Sequence, residues 1–346
     1  MVAVYPTAHN TFTRTVDASN KLTIDFARNV KDFDVNKYVQ VVPVKKVAGY
    51  YTEMTIEEAG RILYTDLRDR VWYDGQPAPE GNEHKESFEF KPFECTRYTF
   101  PFMLGNLLIE QADWNILAQH ASIYARAAMT ARTQLALTQL TTAANYAATH
   151  VMAVAAIPGN AGTWAQSTTA RQDIRRSLTT AGEIILDDTL AAISLNDLQI
   201  VISSGLAANM TQSQEIVDYI KGSPDALAQV RGELPNDNVL YGLPGKLYGF
   251  PMVVEKTRKV TTRKGATTAR SSILATATPF LAARPGALVG VADAPSFSTC
   301  MIFAYEEMTV EQKNDGDNRR TAGRVVENYD VKMVAPASGV LFTGAV

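Results

Sequence analysis

Residues 106–148 contain no proline and no glycine, and that absence constrains the fold more than any other feature of the chain. Ala, Leu, Gln and Arg, all strong helix formers, dominate the stretch. Ile116/Leu117, Ile123/Tyr124, Ala127/Ala128, Ala131, Leu135 and Leu140 approximate an apolar stripe at helical spacing. The pattern predicts one helix over residues 113–148, roughly 54 Å long at 1.5 Å per residue. Ala121, Ala125 and Ala128 give it a small-residue face on which a sheet or the base of a hairpin can pack closely. A helix of that length is a strut, and the rest of the chain must be arranged around it.

Upstream the character changes. Residues 1–43 are mixed and polar, with short apolar stretches such as Leu22-Thr23-Ile24, and read as an extended N-terminal arm that lies on something else. Residues 45–52 and 87–100 read as strands, separated by the loop signal Asp74-Gly75-Gln76-Pro77-Ala78-Pro79-Glu80-Gly81. In the second strand the alternation slips after Phe90 and after Cys95. Pro92 at the first slip indicates an edge strand or a bulge. Two strands with so few partners make a long hairpin, residues 44–102, that needs another surface. That surface is expected to belong mainly to neighbouring copies.

Downstream of Pro158-Gly159-Asn160-Ala161-Gly162, helices alternate with short strands. Helices are expected over 168–190 and 205–221. Strands are expected over 197–202, 246–255, 272–276, 287–291, 298–309 and 324–334, with a charged loop over 311–323. Helices mixed with antiparallel strands give an α+β class.

No catalytic constellation appears in this order of residues. Gly245-Lys246 lacks the earlier glycine and the following hydroxyl of a phosphate loop, and no Gly-x-Ser-x-Gly elbow occurs. His9, His84, His120 and His150 are scattered over arm, loop and helix. Asn314-Asp315-Gly316-Asp317-Asn318 begins like a calcium loop, but Arg319 and Val326 stand where the fifth and twelfth ligands belong. Glu57-Glu58 and Asp187-Asp188 are neighbours in sequence only, and read as solvated faces. Cys95 and Cys300 form no Cys-x-x-Cys pair and read as small buried residues. No catalytic, cofactor or metal residue is assigned. Net charge is −3, and neither a basic surplus nor a basic stripe is read, so a tight grip on DNA phosphates is not expected. The chain shows neither a signal peptide nor an apolar run near the roughly 18 residues of a membrane span.

The order of parts is the informative feature: polar arm, long hairpin, strut helix, α+β region, late strands. It resembles the Hong Kong 97-type capsid fold of tailed-bacteriophage major capsid proteins. The stretch from Val41-Val42-Pro43-Val44 through Gly49-Tyr50-Tyr51 is similar to the opening of the extended loop in Mu-like and related coats. Asp197-Leu198-Gln199-Ile200-Val201-Ile202-Ser203, Glu215-Ile216-Val217-Asp218-Tyr219-Ile220 and Leu247-Tyr248-Gly249-Phe250-Pro251-Met252-Val253-Val254 resemble the capsomer-centre domain. Tyr329-Asp330-Val331-Lys332-Met333-Val334-Ala335-Pro336 resembles the last strand of the peripheral domain.

The resemblance implies a division into an arm (1–43), an extended β-hairpin loop (44–102), a peripheral domain with a spine helix (103–165), an axial domain (166–296) and return strands of the peripheral domain (297–346). It also implies a subunit that self-assembles into pentamers and hexamers of an icosahedral shell. That shell would be built in the host cytoplasm with portal and scaffolding proteins, with room for a cement or decoration protein, and would end as the virion capsid. Double-stranded DNA would be enclosed without tight binding. Three groups of residues are expected at subunit interfaces: Asp315, Asp317, Arg319 and Arg320 at a threefold loop; Lys85, Glu86 and Lys91 on the extended loop; Lys221, Asp225, Arg231 and Glu233 in a capsomer-centre loop. Because the sequence starts directly at the arm, a separate scaffolding protein or a trimmed precursor is expected. An encapsulin nanocompartment shell of the same fold is the alternative.

Overall fold

Asn115 divides the long helical stretch. The computed structural model describes residues 33–52, 74, 90–112, 115–160, 162–164, 173–189, 191, 193–263, 265–286 and 298–346. Within them helix α1 (Asn106–Gln111) is short, and α2 (Ile116–Thr141) runs unbroken for 26 residues. Asn115 lies outside α2 as its cap, with its side chain accepting from the Ala118 amide, so the helix does not reach back to residue 113. At the other end three side chains take the carbonyls that a helix terminus leaves unpaired. The Thr142 hydroxyl donates to Thr138, Asn145 Nδ2 to Gln139 and Tyr146 Oη to Leu140. The chain can therefore leave the helix early, and 3₁₀ turns at Ala143–Asn145 and Ala148–His150 replace the expected helical tail. The strut is roughly 39 Å long rather than roughly 54 Å.

Strands β1 (Gln40–Pro43), β2 (Ala48–Thr52), β3 (Phe90–Glu94) and β4 (Thr96–Gly105) precede these helices. After them come β5 (Val151–Ala153), α3 (Asp173–Asp188), β6 (Leu198–Ser203), α4 (Ser204–Met210), α5 (Gln214–Gly222) and α6 (Pro224–Arg231). Next are β7 (Lys246–Leu247), β8 (Phe250–Glu255), β9 (Arg258–Val260), β10 (Arg270–Ser272) and β11 (Phe280–Ala283). Two long strands, β12 (Cys300–Asp315) and β13 (Arg320–Met333), and the short β14 (Val340–Thr343) finish the order.

A six-stranded sheet, order β5-β14-β11-β6-β8-β7, is buried on both faces. Leu198, Ile200 and Ile202 of β6, with Leu281 and Phe342, pack among Trp164, Ile174 and Leu178 and the residues of α4. The alternate positions, Val201, Phe280, Ala282 and Leu341, pack with Tyr38, with Met129, Leu137 and Leu140 of α2, and with Val331 and Met333 of β13. A strand buried on both faces reads as a continuous apolar run, which is why residues 197–202 were legible. The second sheet has four strands, order β1-β12-β13-β4. Residues 297–346 thus contribute to both sheets.

Several expectations need correction. The second slip of alternation, at Cys95, marks a change of sheet: β3 pairs with β2, whereas β4 pairs with β13 along its whole length. Residues 96–102 therefore belong to the four-stranded sheet and not to a free hairpin. The end of the arm is part of the core as well. Val35, Tyr38 and Val39 are buried, β1 runs parallel to β12, and Tyr38 Oη donates to Glu255 at 2.6 Å. Residues 205–221 form two helices, because the Gln212 and Ser213 amides close tight turns onto Asn209 and Met210. Residues 246–255 turn at Tyr248 and Gly249, both with positive φ, giving the β7–β8 hairpin. The charged loop expected at 311–323 is mostly strand: β12 and β13 pair out to Asp315–Arg320. From Glu311 to Asn314 both faces of β12 are exposed, so this end of the strand carries no alternation to read. Residues 168–172 and 287–291 lie outside the described residues.

Candidate assembly surfaces

The spine helix and the long hairpin form one body. Ala125 and Ala128 pack on Val325 of β13, and the missing side-chain bulk lets helix and sheet approach closely. Behind them Arg132 of α2 meets Glu327 of β13 at 2.6 Å, both buried, and the guanidinium lies over the Tyr329 ring. Burial pushes the Glu327 carboxyl above the usual glutamate range, and Arg132 pulls it back only in part. Nearer the tip, Phe102 of β4 lies flat over Gly323, where any side chain would collide with its ring, and contacts Tyr124 at 5.3 Å. An open cleft of about 990 Å³ follows this joint, bounded by Phe102, Tyr124, Glu311, Arg320 and Arg324.

At the tip of the β12–β13 hairpin, residues 316–319 make the turn and Arg319 takes a positive φ. Asp315 accepts from Asn318 Nδ2 and from Arg320 Nε, both at 2.8 Å. These bonds, Asn318 first, hold its carboxyl below the usual aspartate range. Asp315 and Arg320 therefore pair within one chain, whereas Asp317 and Arg319 point into solvent.

The β2–β3 ribbon has two different faces. Phe93 stacks on Phe303 at 4.6 Å, Tyr51 lies 5.5 Å from the same ring, and the Glu94 amide donates to Asp330. Tyr50 and Phe90 on the ribbon are 74% and 62% exposed. The base of the expected hairpin is thus seated on its own chain, while large apolar side chains on it stay bare. Lys91 lies on β3 opposite Tyr51; Lys85 and Glu86 lie outside the described residues.

The residues expected in a capsomer-centre loop sit on two helices instead. Lys221 is in the last turn of α5, Asp225 and Arg231 in the first and last turns of α6, and Glu233 just beyond it. Ser223 caps α6 and Gly232 ends it with a left-handed φ. The pair is held to the body by Glu215, a residue whose role had no sequence signal beyond its place in an acidic-aliphatic run. Its carboxylate accepts from the Ile174 and Arg175 amides at the start of α3, each at 2.9 Å, and from Tyr248 Oη at 2.8 Å. Leu234 and Leu240 near this end are exposed.

Asp188, expected on a solvated face, is half-buried and instead meets a buried histidine. His150 is fully buried between the Gly339 carbonyl and Asp188, both at 2.6 Å, and so ties β5 and β14 to the end of α3. Both ring nitrogens meet acceptors and both are engaged structurally. Among the described residues no group of His, Cys, Asp and Glu could hold a metal, and no helix is long and apolar enough to cross a membrane.

No family model and no curated protein matches the sequence. Solved structures match in fold. A phage-related protein from Bordetella bronchiseptica RB50 superposes with a TM-score of 0.59 at 14% identity, over 93% of this chain and 97% of that one. A chain of the capsid of cyanophage P-SCSP1u superposes with a TM-score of 0.54 at 11% identity, over 88% and 86%. The chain shares a mixed α+β fold with these two phage structures.

Proposed function

We propose that this chain is the major capsid protein of a tailed bacteriophage, a shell subunit and not an enzyme. The observation that carries the reading is the likeness to the cyanophage capsid chain, which runs nearly end to end in both molecules. The bare apolar residues agree with it. Tyr50, Phe90, Met103, Leu107, Ile123 and Leu240 are each more than half exposed, a pattern of side chains that await a neighbour.

In this reading copies close into pentamers and hexamers, and those rings tile an icosahedral shell around double-stranded DNA. The five-part Hong Kong 97-type division becomes arm, extended loop, peripheral domain with α2 as spine, axial domain and return strands. The tip of β12–β13, with Asp317 and Arg319 outermost, meets its counterparts where three rings join. The β2–β3 ribbon reaches across a neighbour, and α5–α6 face the ring centre. Each contact is modest, but every subunit has many neighbours, so small pairwise energies sum to a durable wall. Portal, scaffolding and decoration proteins complete the particle in the host cytoplasm. The encapsulin alternative shares the fold and has no observation of its own in its favour.

Electron microscopy of the purified full-length chain, with sedimentation, tests the proposal. Closed shells or rings of five and six support it; a monodisperse monomer at high concentration, with scaffolding protein supplied, overturns it.

A further inference from the structure

Between Lys256 and Arg270 the chain carries six Lys or Arg residues and no Asp or Glu, although its net charge is −3. This is the local basic stripe that whole-chain charge concealed. The structure makes it a ribbon: β9 and β10 pair with each other and with no third strand among the described residues. Backbone bonds from Ile273 to Thr257 and from Thr261 to Ala269 extend the ladder, and Gly265 with φ +97° shapes the end.

Lys256 at the ribbon's root donates to the Asp237 carbonyl, while the described cations further along are unpaired. Arg258, Arg263 and Arg270 are exposed, Lys259 is half-buried, and none of the four makes an ion pair among the described residues. Val260 stands opposite Arg270, which puts Arg258 and Arg270 on one face as diagonal neighbours. Like charges so placed repel unless an outside anion comes between them. The anions at the root of the ribbon are already engaged: Glu255 holds Tyr38 and the Thr257 amide, and Asp237 holds Lys37. On a second copy of this chain the long hairpin is partly engaged in the same way, with Glu307 and Asp317 left exposed. The acidic side chains Glu306, Glu311 and Asp315 of its long hairpin are paired with Arg97, Arg324 and Arg320.

We infer that the β9–β10 ribbon is a phosphate-contacting element that touches the backbone of the enclosed DNA, so its face of the subunit forms the inner wall. The inference rests on the shell reading above. The ribbon has no aromatic residue to stack on a base, while its arginines and the Thr257 and Thr262 hydroxyls are donors suited to phosphate oxygens. Contact is therefore independent of sequence. Four to six cations per copy give weak binding, which leaves DNA free to move while many copies together screen its charge.

The test uses the unassembled full-length chain and a random-sequence 30-base-pair duplex, with affinity measured across a salt series. Arg258→Gln/Arg263→Gln/Arg270→Gln is compared with a control of equal charge change, Lys45→Gln/Lys46→Gln/Arg126→Gln. The ribbon triple is expected to flatten the slope of log affinity against log salt by about 2.7, at about 0.9 per lost phosphate contact, and the control to leave it unchanged. Arg263→Gln alone, in the turn and therefore safe for folding, is expected to remove about 0.9. Closed shells should no longer take up added duplex. Equal slopes for both triples, or no duplex binding by the unaltered chain, overturn the inference. So does a ribbon triple that binds DNA normally but no longer forms shells, which would make the ribbon a contact to an acidic protein surface. Shells that bind added duplex as well as free subunits overturn the inward orientation. Failure of the unaltered chain to form shells counts against the capsid reading itself, and shell formation is scored separately by microscopy.

Discussion

The six-stranded sheet and the β2–β3 ribbon are built from similar residues and end in opposite conditions. In the sheet, alternate side chains of β6, β8, β11 and β14 enter two separate cores, and both faces are covered within one chain. In the ribbon, Phe93 and Tyr51 are covered by Phe303, while Tyr50 and Phe90 are left in water. The difference separates two tasks. The sheet makes the subunit fold; the ribbon's bare side chains add nothing to that and are free to be spent on association.

That contrast is open to attack at four points, in order of expected effect on the subunit. Phe280 is fully buried and meets Tyr38 edge to face. Phe280→Ala should cost about 3–5 kcal/mol of subunit stability in urea unfolding. A cost below about 1 kcal/mol would mean that the second core is not packed as described.

Glu327 comes next. Its folded-state pKa is raised by burial, so the folded chain takes up this proton more readily than the unfolded one. The site's contribution is fully present below the ordinary glutamate pKa and is lost as pH rises through the folded value. Unfolding free energies of the wild type and Glu327→Gln, compared from pH 4 to pH 8, should therefore show the wild type losing ground as pH rises. A difference that is flat, or of the reverse sign, removes burial as the dominant influence.

The ribbon should behave in the opposite way to Phe280. Tyr50→Ser with Phe90→Ser should change subunit stability by no more than about 0.5 kcal/mol, yet suppress shell formation under electron microscopy. Loss of folding in that variant would erase the distinction drawn above. The smallest effect on the subunit belongs to the hairpin tip. Arg319→Ala with Arg320→Ala should leave the unfolding midpoint unchanged while shells become less resistant to heat and high salt. Shells of unaltered resistance would leave the Asp315–Arg320 pair a purely internal brace.

Legibility followed burial. The spine helix was readable because helix formers without proline or glycine leave few other options, and its core-facing alanines were readable from their spacing. Its ends were not, because Asn115 and the side chains of Thr142, Asn145 and Tyr146 decide them by single hydrogen bonds. β6 reads as an apolar run, whereas residues 311–315 of β12 read as a loop, since a strand end exposed on both faces carries no period. The expected interface residues were only partly located by the fold: Asp315 and Arg320 turned out to pair internally, and Lys221, Asp225 and Arg231 to sit on helices. The basic ribbon was missed for a different reason. Net charge averages over the whole chain, and a polyanion would meet fifteen residues at a time.

The placing of β14 also sets a schedule for synthesis. It lies between β5 and β11, so β5, made near the middle of the chain, has no partner in the sheet until residues 340–343 leave the ribosome. β1 waits in the same way for β12. Contacts so distant in sequence form slowly, and they cannot form at all on a partly translated chain. A nascent subunit therefore has no finished body on which to present its association surfaces. In the proposed shell, a chain that stops before residue 340 would lack these pairings and would present no finished surface to a neighbour.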